Sequence, residues 1–237
     1  MTEQVNACGQ PLGPEVTAWS ERARPGPTPV AGRYCRLEPV SVEQHAQALF
    51  ESYMRAPDGR DWTYLFAERP ESASKFRQYL ARLAASSDPL HYAIVDLATG
   101  RAVGTAALMR IDPAHGVIEI GYLVFSPLLK KTRAASEAMY LLMRRVFDEL
   151  HYRRYEWKCD SLNAASRAAA LRYGFAFEGI FRNASVYKGR SRDTAWFAII
   201  DTQWPKIRAA FEHWLDPQNF DSAGMQRRPL ALIREPL

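Results

Sequence analysis

The chain has 237 residues, 47% of them apolar, enough for a sizeable buried core in one large domain or two small ones. Lys and Arg exceed Asp and Glu by 31 to 26; a net charge of +5 is compatible with phosphate-bearing partners but, without a basic stripe, too mild for direct binding of nucleic acid. Three cysteines, Cys8, Cys35 and Cys159, contain no C-x-x-C pair and indicate neither a disulfide framework nor a zinc site, and no run approaches the roughly 18 apolar residues of a membrane span.

The first 32 residues carry five prolines and no periodic apolar face, which reads as a flexible N-terminal arm. They lack the basic-then-apolar pattern of a signal peptide, so a cytoplasmic protein is expected. A domain is expected over 33–216. It opens with GRYCRLEPV, a strand, and SVEQHAQALFESYM, a helix whose Ser41 and Gln44 have capping-box spacing. Phe76, Tyr79, Leu80 and Leu83 predict a second helix over about 72–86, after the aromatic, turn-rich RAPDGRDWTYLFAERP. HYAIVDL, AVGTAALMRID and VIEIGYLVF follow as strands, and their short connections ATGR and PAHG predict antiparallel hairpins. A helix from about Ala134 to Leu150 leads to RRYEWKC, a strand placed by this crossover parallel or near-parallel to VIEIGYLVF. A helix from Asn163 to Tyr173, two strands around KGRSRD and a helix from Trp204 to Leu215 complete an α+β domain with a mixed sheet. A tail over 217–237 remains.

Lys130, Lys131 and Arg133 crowd the predicted start of the Ala134 helix, where the helix end already carries positive partial charge. Such a loop reads as an anion site, and Ala134, Ala135 and Ser136 are small enough for a ligand to approach the backbone closely. A solvated basic face is the alternative. Neither G-x-x-x-x-G-K-[ST] nor G-x-G-x-x-G occurs, which argues against an ATP P-loop and a dinucleotide fold.

EIGYLVFSP, KKTRAASEA, WKCDSLNAASRAAALRYGFAFEG and KGRSRD, in that order and spacing, resemble the GNAT superfamily of acyl-coenzyme A dependent N-acetyltransferases, over about residues 33–201. Within it they resemble the RimJ/RimL branch, which acetylates ribosomal-protein N-termini. The resemblance implies a mostly antiparallel twisted sheet flanked by helices, splayed between the fourth and fifth strands, with acetyl-CoA as co-substrate. It also implies that Lys130, Lys131, Thr132, Arg133, Ala134 and Ala135 wrap the coenzyme pyrophosphate, with Arg133 in place of the first family glycine and Ala135 of the second. The pantetheine arm would then pair with main-chain groups of Leu123 and Phe125, an N–H near Leu123 would polarise the thioester carbonyl, and Asn163, followed by Ser166 and Arg167, would touch the arm. Asn163 is equally suited to a helix N-cap.

Acetyl transfer needs a deprotonated amine and a proton for the leaving thiolate. Glu119 is the sole carboxylate in VIEIGYLVF, and alternation places it on the face of Gly121 and Leu123; it is the candidate base, with an ordinary ion pair as the alternative. The tyrosine that many GNAT enzymes use as acid is replaced by Ala170, and the resemblance to the RimJ/RimL branch assigns that role to Ser166, with water as rival. Trp62 and Tyr64 would line the acceptor pocket or pack the core. The five histidines are dispersed, so no metal is expected. The sequence thus predicts an acetyl-CoA dependent N-acetyltransferase acting on a primary amine, a protein N-terminus or a small molecule, with a homodimer left open. A non-catalytic acyl-CoA sensor or ribosome-binding module on the same fold is the rival.

Overall fold

The computed structural model describes residues 4–234; the ends of the predicted arm and tail, 1–3 and 235–237, lie outside the described residues. Eight strands form one sheet: β1 (Val30–Ala31), β2 (Cys35–Pro39), β3 (Leu90–Asp96), β4 (Arg101–Asp112), β5 (Val117–Phe125), β6 (Arg154–Asp160), β7 (Ala176–Tyr187) and β8 (Arg190–Ile200). Their order is β1-β2-β3-β4-β5-β6-β8-β7, antiparallel throughout except for the parallel pair β5–β6. This is the mixed, mostly antiparallel sheet expected, and the parallel pair arises where α3 (Arg133–Arg144) forms the crossover.

Helices α1 (Val42–Met54) and α2 (Ala73–Ala84) cover one face, where Leu49, Tyr53, Trp62, Phe76 and Leu80 pack against Ala93, Val95 and Val124. Helices α3, α4 (Ala164–Tyr173) and α5 (Trp204–Leu215) build the larger core with Ile94, Leu108, Ile118 and Ile120, and a short α6 (Leu230–Arg234) closes the described chain. Ile94 and its neighbours Ala93 and Val95 thus serve opposite faces, the period-2 signature of a strand buried on both sides.

Local signals account for the helix boundaries. Ser41 caps α1 by accepting from Gln44 N at 3.3 Å, but the reciprocal half of the expected capping box comes from His45, whose Nδ1 accepts from Ser41 N at 3.0 Å while Nε2 meets Glu38. Asn163 caps α4, and Gly174 ends it at φ +102°, a left-handed conformation that glycine adopts without steric cost. The helix predicted to reach Leu150 is regular only to Arg144; Arg145–Glu149 form a wider π-turn from which buried Arg145 donates to the carbonyls of Gly26 and Thr28. Those bonds, with Trp19 Nε1 donating to Ala114 O and Tyr92 donating to Gly26 O, lay residues 19–31 of the expected arm along the domain.

Candidate active site

Strands β5 and β6 pair from Val117–Arg154 to Ile120–Trp157 and then part, leaving Gly121–Phe125 and Lys158–Asp160 unpaired with each other. The cause lies on the other edge of β5. There the register against β4 slips between Ala107 and Thr105, and Tyr122, at φ +50°, is the extra residue of a bulge. A bulge shifts the phase of every side chain beyond it. Leu123 and Phe125 therefore pack into the core of Ile118 and Ile120, and Leu123 does not share the face of Glu119 and Gly121 as strict alternation predicted. In the opened half, Tyr53 donates to Val124 O at 3.1 Å, and the Tyr122 and His91 rings meet at a steep angle with centroids 4.9 Å apart.

The loop from Ser126 leads directly into α3, whose N-cap Thr132 accepts from Ala135 N at 3.1 Å. Its left-handed residue is Lys131, at φ +62°, whereas Arg133 is the first helical residue. The glycine-like conformation thus falls two residues before the position expected from the family pattern. The Arg133 guanidinium lies 4.8 Å from the Tyr34 ring and 4.7 Å from the Phe220 ring, and Lys130 pairs with Asp61. Two of the three crowded cations thus have partners within the chain. Lys131 has none among the described residues. Ala134, Ala135 and Ser136 are buried, and Ser136 Oγ accepts from Arg172 at 3.1 Å.

The splay opens into a cavity of about 310 Å³ walled by β5, β6, β8, the start of α4 and the Tyr64–Phe66 segment. Glu119 is buried in its wall, with Oε2 2.9 Å from Lys158 Nζ and 3.2 Å from Arg110 Nε. Lys158 Nζ also lies 2.6 Å from Glu156 and 3.8 Å from the centre of the Trp196 ring. Burial pushes the Glu119 pKa up, and the Lys158 ammonium, chief among the opposing influences, pulls it back down. Ser166, two residues past the first turn position of α4, accepts from Trp157 Nε1 at 3.0 Å and neighbours Cys159, whose thiol pKa burial raises. Asn163 Oδ1 accepts from Ser166 N, and Arg167 donates to Ser161 O at 3.2 Å.

Of the residues singled out from sequence, Glu119, Leu123, Asn163, Ser166 and Tyr64 meet in this wall; Trp62 does not. Its indole is edge-on to Tyr53 and Tyr79 in the α1–α2 core, the packing role weighed against a pocket role. Lys158, Asp160, Arg192, Thr194 and Trp196 also line the cavity and carried no expectation. The signal was present: each set recurs at every second residue of its strand, which places it on one face. The turn after β7 closes the roof, as Lys188 donates to Trp62 O at 2.7 Å and Tyr187 to Asp160 Oδ2 at 2.8 Å.

Unpaired strand backbone, the amides of a helix start and a buried carboxylate suit a long polar thioester and an amine. Among the described residues no group of His, Cys, Asp and Glu could hold a metal ion, and no helix is long and apolar enough to cross a membrane. Residues 35–176 match the family described as the acetyltransferase (GNAT) domain. A GCN5-related N-acetyltransferase from Brucella melitensis is 46% identical, with 92% of this chain and 99% of that one covered and a TM-score of 0.91. A protein from Chromobacterium violaceum, described as a probable GNAT acetyltransferase, is 39% identical over 82% and 97% of the chains, with a TM-score of 0.76. A Salmonella typhimurium acetyl transferase that modifies the N-terminal serine of a ribosomal subunit protein shares the fold, at 21% identity, 73% and 99% coverage and a TM-score of 0.61. The curated proteins contain no match.

Proposed function

The chain belongs to the GNAT acetyltransferases, and we propose that it moves the acetyl group of acetyl-CoA directly to a primary amine bound in the β5–β6 cavity. The observation that carries this reading is the meeting of the splay with a buried carboxylate: Glu119 is the last residue but one before the strands part, and it faces the cavity. The pantetheine arm would lie along the unpaired backbone of Gly121–Phe125, and the pyrophosphate at the Lys130–Ser136 loop, held by backbone amides and Lys131.

Glu119 receives the amine's proton, for which a carboxylate of raised proton affinity is the better base. Lys158, held between Glu119 and Glu156, opposes that rise and favours the ionised carboxylate that can take the proton. At the other end, the Trp157 indole can only donate, so Ser166 Oγ accepts there and keeps its hydrogen for donation, toward the Cys159 sulfur it meets in this structure and toward the departing thiolate during the reaction. The order of the four sequence motifs supports an amine acceptor, with a protein N-terminus, as in the RimJ/RimL branch, and a small molecule as its two forms. A non-catalytic acyl-CoA sensor is the rival, and the two ion pairs of Glu119 favour it. The two part on one measurement: thiol release from acetyl-CoA against a panel of amines, with acetylated product identified by mass. Steady turnover with any amine is expected; CoA binding with no turnover across the panel supports the sensor.

A further inference from the structure

Arg192 is 8% exposed, lines the cavity and, among the described residues, faces no carboxylate at ion-pair distance. It projects from β8, with Nε donating to Thr194 Oγ1 at 3.1 Å. Its guanidinium is held against the Phe66 and Tyr187 rings, at 5.3 and 5.8 Å. The rings accept none of the fork's in-plane hydrogen bonds, and its two Nη groups have no hydrogen-bond or ion-pair partner among the described residues. Every other charge in the wall is answered. Glu119 has Lys158 and Arg110, and Asp160 accepts from Tyr187 and from Leu162 N.

We infer that Arg192 is a specificity residue that grips a carboxylate on the acceptor, so that the substrate is a small amino-carboxylate. This rests on the proposed acetyl transfer at the same site. A buried, pre-oriented and unpaired guanidinium presents two parallel N–H donors, the pattern that a carboxylate meets bidentately. Of the lining carboxylates, Glu119 is already held by Lys158 and Arg110 and Asp160 by Tyr187 and Leu162 N, which leaves a polycationic acceptor such as a polyamine no unpartnered carboxylate to meet. A zwitterion instead sets its ammonium toward Glu119 and its carboxylate toward Arg192. A volume of about 310 Å³ suits a small molecule.

The test compares acids with their carboxamides: glycine, β-alanine, 4-aminobutyrate and glutamate, each beside its amide, a tetrapeptide beginning with Glu beside one beginning with Gln, and spermidine. Binding is measured by calorimetry at saturating CoA, and turnover by thiol release from acetyl-CoA. At least one acid should bind about tenfold or more tighter than its amide, and Arg192→Gln should bring that ratio to about one. Arg192→Lys, the second variant should the first not fold, keeps charge but loses the fork and should lower the ratio several-fold. A preference confined to the Glu tetrapeptide would give the same chemistry a peptide source. A ratio near one for every pair, a ratio untouched in either variant, or spermidine outcompeting every acid overturns the inference. Acid binding that depends on Arg192 without turnover would sink the acetyl-transfer reading and leave this one standing; equal turnover of acids and amides would do the reverse.

Discussion

The two halves of the β5–β6 pair are built from the same strands and do different work. Over Val117–Ile120 the backbones satisfy one another, and the side chains carry buried charge in the run Glu119, Lys158, Glu156 and Arg154. Over Gly121–Phe125 the ladder is gone, and one carbonyl, that of Val124, is taken by a tyrosine instead. Buried backbone groups without partners are costly, so an opened ladder persists only where side chains or a ligand complete it. The paired half is thus a charged anvil and the splayed half open strand backbone, the place proposed for the pantetheine arm, with Glu119 at the join.

The largest effect should come from breaking the anvil. Glu119→Gln keeps the shape of the side chain but removes the proposed base, and kcat should fall by about 10²- to 10³-fold with CoA affinity retained, as measured by calorimetry. With the raised pKa on the proposed base, wild-type activity should be lost as pH falls through it, and the variant should lack that limb. Lys158→Met leaves Glu119 and Glu156 without the cation between them and should move the limb to higher pH. An unchanged kcat in Glu119→Gln would make the anvil purely structural.

The splayed half is sensitive through its supports. Burial pushes the pKa of His91, packed on Tyr122 of the bulge, down from 6.5 to about 4. Between those values the unfolded chain binds the proton and the folded one does not, so stability should be complete above pH 6.5 and fall by roughly 3 kcal/mol toward pH 4. His91→Phe should flatten that part of the profile in urea denaturation. Tyr53→Phe should cost about 1–3 kcal/mol at all pH values, since Val124 O and Thr105 lose a buried partner.

How far sequence reached follows from the same contrast. Hydrophobic period, caps and short connections placed the strands and helices because those signals are local: Phe76, Tyr79, Leu80 and Leu83 did fall on one buried face. The splay came from motif resemblance and Glu119 from being the sole carboxylate of VIEIGYLVF, and the structure gives them a shared wall. The bulge at Tyr122 was invisible, since nothing in VIEIGYLVF announces a residue at positive φ, and so Leu123 was set on the wrong face. Arg192 lies within KGRSRD, but its lack of a carboxylate partner is a property of the folded surroundings that one strand cannot display.

The smallest expected effect concerns the loop that first drew attention by its charge. Three cations were expected to need an anion, yet Arg133 is already stacked on Tyr34 and Phe220, and Lys130 already faces Asp61. If backbone amides and Lys131 hold the pyrophosphate, Arg133→Ala should cost about 1 kcal/mol of folding stability with little change in CoA affinity. Lys131→Ala should instead leave stability nearly unchanged, weaken CoA by about threefold and reduce the salt dependence of binding, because an exposed point charge is screened. Calorimetry at low and high salt with denaturation of both variants separates the two roles. The opposite order, with Arg133 governing affinity and Lys131 stability, would mean that the aromatic clamp opens when the coenzyme binds and that the loop, like the splay, is completed only by its ligand.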